Sequence, residues 1–185
     1  VSLFDLLKES FRQRPDYVIV GEIRGKEAFV LFQGASSGHP VLSTMHAESV
    51  EAMVRRLETE PINLSPALIE SLDIVVIIGT AKINEETVRR IYEIDEIVKV
   101  GKETIVKSRS FFRDPGRDSF YSDPEKKMFE KISQEKGIPL QNLNKEFKNR
   151  TMLLFKMYQN NIMDFKEVND LISLYYKDPA RVLKK

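Results

Sequence analysis

A carboxylate and an imidazole stand out as the groups able to do chemistry: Glu22 and His46, each just past a short apolar run. The runs are Tyr17-Val18-Ile19-Val20, bounded by Asp16 and Gly21, and Val41-Leu42-Ser43-Thr44-Met45. Short apolar, β-branched runs between turn signals read as buried strands. Between them, Lys26 to Ser36 carries Ala28, Phe29, Leu31, Phe32 and Ala35 at helical spacing, and Gly38 closes that helix. Glu48 to Leu57 reads as another helix, with Ser49 and Glu51 near its start. Strand, helix, strand, helix is the pattern of a parallel α/β layer. Ligands sit off the carboxyl ends of such strands. If the two strands are neighbours, Glu22 and His46 reach one edge and face one ligand. His39 does not. Seven residues separate it from His46 along an extended strand, about 23 Å at roughly 3.3 Å each. It is therefore expected to be structural or to lie at an interface.

The rest of the chain must build and support that edge. Its 185 residues suffice for one domain, or for a core with an appendage. A hydrophobic share of 42% and a charged share of 31% are those of a soluble globular protein. The net charge of +1 gives no bulk attraction to nucleic acid or to an acidic membrane. Without cysteine there is neither a disulfide framework nor a thiolate metal site. The most apolar stretch, Ile69 to Gly79, is broken by Asp73 and falls well short of the roughly 20 residues that span a bilayer.

Two linked segments carry a family resemblance. VGEIRGKEA, from Val20 to Ala28, resembles the Walker B segment of the type II/type IV secretion superfamily of secretion and pilus-motor ATPases, in which a glutamate follows glycine. GHPVLSTMHAES, from Gly38 to Ser49, resembles that family's His box, with histidines at both ends of a strand. RQRPD before them and RRLETEPINLSP after them fit the same pattern, closest to the archaeal branch that drives archaella and related pili. The resemblance covers about residues 3–112. The family's P-loop, G-x-x-x-x-G-K-[ST], is not in this sequence. Gly25-Lys26 and Gly101-Lys102 are its Gly-Lys pairs, and neither has the upstream glycine or a following Ser or Thr. The expected fold class is therefore α/β: the carboxyl-terminal half of a RecA-like P-loop ATPase core, a mostly parallel sheet with helices and a β-hairpin, followed by a helical appendage.

The resemblance gives site residues their roles. Glu22 implies a catalytic carboxylate that holds or deprotonates a water near a metal-bound phosphate; the alternative is an ion pair with Arg24 or Lys26. Gly21 stands where such strands carry an aspartate, so no direct metal ligand is expected there. Arg24 suits phosphate oxygens with its planar fork and suits a salt bridge equally. Thr44 and His46 end the second strand, where they are either satisfied hydrogen-bonding groups or phosphate sensors that report to the helix from Glu48. Arg55 and Arg56 on that helix are expected to be solvated or, with His39, to face another subunit. ATP and Mg²⁺ are implied for the full-length protein, with none expected to bind tightly to this chain, which alone should hydrolyse ATP negligibly. The implied partners are further copies of itself in a hexameric ring and a membrane platform protein, at the cytoplasmic face of the membrane, with no nucleic acid. Two alternatives remain open: a catalytically silent interaction module, and a nucleic-acid translocase of the same superfamily, against which the near-neutral charge argues.

Along the rest of the chain, Ser2 to Arg14 reads as an amphipathic helix ended by Pro15. Ser65 caps a short helix, Pro66 to Leu72. Ile74 to Ile78 reads as a strand buried on both faces and ended by Gly79. Thr87 to Val100 and Thr104 to Phe112 read as a hairpin turning at Gly101-Lys102. FFRDPGRDSFYSDP, from Phe111 to Pro124, reads as a boundary, dividing a partial ATPase core at 1–112 from a helical subdomain at 113–185. Three helices are expected in the latter: Pro124 to Lys136, Leu140 to Gln159, and Phe165 to Tyr176 with Asp164 as cap. Their apolar stripes (Met128, Phe129 and Ile132; Leu143, Phe147, Leu154 and Tyr158; Val168, Leu171, Ile172 and Tyr175) read as a small bundle or as a docking surface for a platform protein.

Overall fold

In the computed structural model, which describes residues 2–101, 104–124 and 126–183, Ser2 starts helix α1 (Leu3–Arg12) with a reciprocal cap. Its hydroxyl accepts the Asp5 N–H at 3.3 Å while the Asp5 carboxylate accepts the Ser2 N–H at 3.0 Å. Strand β1 (Val18–Val20), helix α2 (Glu27–Ser36) and strand β2 (Val41–Ser43) follow. β1 and β2 pair in parallel, with Val18 opposite Val41 and Val20 opposite Ser43. Gly34 lets α1 and α2 close on each other: a Cβ there would stand 2.1 Å from the Phe11 ring. Helix α3 (Val50–Glu58) begins at Ser49, whose hydroxyl accepts the Ala52 N–H at 3.1 Å. It buries Val50, Met53, Val54 and Leu57, a helical stripe turned to the core.

The expected strands are present, but β1 is buried on one face only and no residue of β2 is buried. Val18 and Val20 are buried, while Ile19 is 73% exposed. Helix α4 (Pro66–Ile69) stops short of the expected Leu72. Strand β3 (Ile74–Ile83) runs through Gly79 instead of ending there. Gly79 serves the pairing, because the Tyr92 ring lies across it and would meet a Cβ at 2.6 Å. β3 pairs antiparallel with β4 (Glu86–Val100), and Asn84 and Glu85 turn the chain between them, both at positive φ. β3 therefore alternates, with Val75 and Ile77 inward and Ile74, Val76 and Ile78 exposed. β4 pairs with β5 (Ile105–Asp114), as the hairpin reading expected, although Lys102 at its turn lies outside the described residues.

The stretch from Phe111 to Pro124 is not a linker. It holds the end of β5, a tight turn and strand β6 (Ser119–Ser122), giving a four-stranded sheet in the order β3-β4-β5-β6. Its Pro, Gly and Asp are turn chemistry: the Asp114 carboxylate accepts the Gly116 N–H at 2.8 Å, and Asp118 takes φ 48°. The first compact unit runs to Lys127. Among the described residues parallel pairing is confined to β1 and β2, because the later strands are joined by turns too short for a crossover.

An ion-pair network ties α3 to this sheet. Lys107 Nζ lies 2.6 Å from the fully buried Asp95, 3.2 Å from Glu51 of α3 and 3.7 Å from Glu93. Arg109 lies 2.6 Å from Glu93. The buried Glu96 accepts the Ser110 hydroxyl at 2.5 Å.

The second unit, from Met128 onward, is helical. It takes in nearly all of α5 (Lys127–Lys136), then α6 (Leu140–Gln159), α7 (Phe165–Lys177) and a short α8 (Pro179–Leu183) that the sequence did not signal. Asp164 caps α7, accepting the N–H groups of Lys166 and Glu167 at 2.9 and 3.1 Å. The α6 stripe is displaced from expectation: Leu153 and Met157 are buried with Tyr175 and Val182, while Leu154 and Tyr158 are 59% and 70% exposed. Two adjacent apolar stripes with the same i, i+4 spacing run along α6, and tertiary packing selects between them. Among the described residues no helix is long and apolar enough to cross a membrane.

Candidate catalytic rim

The parallel register of β1 and β2 sends both chains out at one edge, and pairing continues beyond the strands. Ile23 N–H donates to the Thr44 carbonyl at 3.0 Å. The Thr44 hydroxyl donates to the Gly21 carbonyl at 2.5 Å. Thr44 thus acts here as a clamp between the two strand ends. Because Gly21 and Thr44 are locked together, the residues that follow them, Glu22 and His46, meet.

Glu22 Oε1 lies 3.4 Å from His46 Nε2, and Glu22 Oε2 accepts a hydrogen bond from Arg24 Nη2 at 2.7 Å. Oε1 is buried and accepts no hydrogen bond among the described residues, whereas the His46 ring is 82% exposed. The Arg24 hydrogen bond is the main reason the Glu22 carboxyl is held below its ordinary range. Partial desolvation opposes it, and the charges of Arg24, His46 and Arg56 add to it. Glu22 is therefore an ionised carboxylate with one oxygen engaged and one oxygen open toward an imidazole. Of the two readings of Arg24, the structure shows the salt bridge to Glu22.

Two supports were not legible beforehand. Glu27, at the first position of α2, accepts the N–H groups of Arg24 and Gly25 at 2.6 and 2.8 Å and so fixes the turn that carries Arg24. Burial pushes its carboxyl upward, and the backbone N–H groups outweigh that and hold it low. The signal available was an acid in the first helical turn. The second support is Arg56 of α3, whose Nη1 donates to the His46 carbonyl at 3.0 Å; no local pattern links residues ten apart across a cap. Arg55 beside it is exposed. His39 lies at the other end of β2, its ring packed edge-on to Phe11 with centroids 5.1 Å apart. It takes no part in the rim.

Comparison with known proteins places this arrangement in a family. The chain is 34% identical over 183 residues to the Methanocaldococcus jannaschii protein MJ0900, covering 96% of this chain and 33% of that one. It is 35% identical over 178 residues to MJ1287 of the same organism, covering 90% of this chain and 66% of that one. It is 30% identical over 105 residues to the Bordetella pertussis type IV secretion system protein PtlH, covering 51% of this chain and 31% of that one. The chain thus spans one third to two thirds of the length of the two archaeal relatives. The family described as "Type II/IV secretion system protein" matches residues 1–114, which include the whole rim, and the chain belongs to that family.

Proposed function

We propose that this chain is the carboxyl-terminal part of an ATPase motor powering type II secretion or the assembly of an archaellum or type IV pilus, coupling ATP hydrolysis to protein export or filament assembly. The observation that carries this reading is the meeting of Glu22 and His46 on one sheet edge, in a chain whose family match covers both. The open oxygen of Glu22 accepts a hydrogen from the attacking water, which orients that water toward the terminal phosphate and gives its proton a place to go. His46, exposed and in reach of the same water, contacts the phosphate and reports its loss through the backbone to α3. Arg24 gives the rim a planar cationic fork for phosphate oxygens.

ATP would supply the scissile phosphate, gripped by a P-loop that this sequence does not contain. The residues fit its terminal phosphate, because an open carboxylate oxygen and a guanidinium share the rim. No direct metal ligand is expected from Gly21, which offers no side chain where such strands carry an aspartate. Any Mg²⁺ would be held by the nucleotide and by residues beyond this rim. In this reading copies assemble as a hexameric ring at the cytoplasmic face of the membrane, bound to a membrane platform protein and not to nucleic acid. The first unit does the chemistry and the helical unit is its appendage.

The test is steady-state ATP hydrolysis by 1–185 alone and by a protein in which a P-loop-bearing half precedes these residues. Turnover in the second and none in the first supports the reading. Robust turnover by 1–185 alone contradicts it.

A further inference from the structure

Thr44 is locked to Gly21 and β2 ends at Ser43, yet the His46 ring itself is almost free of packing. Something must hold the segment between β2 and α3 if the imidazole is to face Glu22 reproducibly. Arg56 does so. It projects from α3, a helix anchored by Val50, Val54 and Leu57, each at most 2% exposed. Its Nη1 donates to the His46 carbonyl at 3.0 Å. Its other donors make no hydrogen bond among the described residues, and its charge acts on Glu22 across the rim. We propose that Arg56 is a positioning residue: from the fixed base of α3 its guanidinium holds the peptide of His46, and through it the direction of the imidazole toward Glu22.

This inference rests on the function proposed above and adds a residue to it. A guanidinium suits the task because its fork holds a carbonyl in a defined direction, while a lysine supplies charge from a flexible stem. Arg56 is also well placed to pass a movement of His46 into α3, since the same side chain touches both.

Two measurements test it. In 1–185, backbone ¹⁵N relaxation of Arg56→Ala should show the His46 amide order parameter falling from about 0.85 to below about 0.6. The His39 amide, at the far end of β2, stays unchanged as an internal control. Arg56→Lys should restore only part of the loss. In a P-loop-bearing protein that carries these residues, Arg56→Ala should lower kcat about tenfold, leave KM within about twofold, and add nothing to His46→Ala. If Arg56→Ala unfolds the chain, Arg56→Met, which keeps the stem's packing, replaces it. An unchanged His46 amide, or losses that multiply in the double variant, overturns the role of Arg56. His46→Ala with undiminished turnover instead overturns the function of the rim itself.

Discussion

Glu22 Oε1 faces His46 Nε2 at 3.4 Å, buried and accepting no hydrogen bond, while its twin oxygen is tied to Arg24 at 2.7 Å. A carboxylate oxygen left without a hydrogen-bond donor is unfavourable. An arriving water or hydroxyl relieves that cost. The carboxylate is thereby set up to bind a water in one orientation, which a free, fully solvated glutamate is not. The asymmetry comes from Gly21, Thr44 and Glu27, which shape the backbone, and from Arg24, which takes only one of the two oxygens.

The ion network under α3 gives a stability prediction. Among the described residues, Lys107→Met leaves the fully buried Asp95 with Arg109 Nε, 3.5 Å away, as its cationic partner and removes the ion pair of Glu51 of α3. The expected loss is about 3 kcal/mol, at the low end for removing one partner of a buried pair because Arg109 remains. Urea unfolding of 1–185 measures it. A loss below about 1 kcal/mol would show that the network is dispensable.

Gly34 gives a packing prediction. Its missing Cβ makes room for the Phe11 ring, whose Cζ and Cε1 would stand 2.1 and 2.3 Å from it. Gly34→Ala should destabilise the chain by about 1–3 kcal/mol, as overpacking does. Phe11→Leu should recover part of that in the double variant. Because the His39 ring packs on Phe11, its NMR signals should shift in Gly34→Ala while those of His46 stay in place. Unshifted His39 signals would contradict the close approach of α1 and α2.

Asp118 gives a pH dependence. Hydrogen bonds from Arg90 and Arg113 hold its carboxyl below the ordinary value of 3.8. A group whose pKa is lower folded than unfolded adds stability above its unfolded value, and that stability is lost as pH falls through the folded value. Stability should therefore decline below pH 3.8 partly on account of Asp118, and Asp118→Asn should flatten that decline. An Asp118→Asn variant with the parent's acid profile would contradict the pairing.

The sequence made the rim legible because strand ends are local. A β-branched run, a glycine and an acid announce where Glu22 must emerge, and a second apolar run, Val41 to Met45, leads to His46. What it did not show lies in long-range partners. Nothing near Gly79 reveals that Tyr92 will cover it, so a strand glycine reads as a terminus. Asn84-Glu85 turns the chain with two positive φ angles but lacks the glycine that usually marks such a turn. The Asp-Pro-Gly cluster before β6 looks the same in a hairpin and in a linker. On α6, Leu153 and Leu154 are both apolar, and only the packing of α7 and α8 decides which is buried.

The rim's chemistry stands on the open oxygen of Glu22, and Glu22→Gln removes the charge while keeping the shape. In a P-loop-bearing protein that carries this chain, ATP turnover should fall about 10²- to 10³-fold with the Kd for ATP within about threefold of the parent. Turnover within about threefold of the parent would mean that Glu22 neither orients the water nor takes its proton.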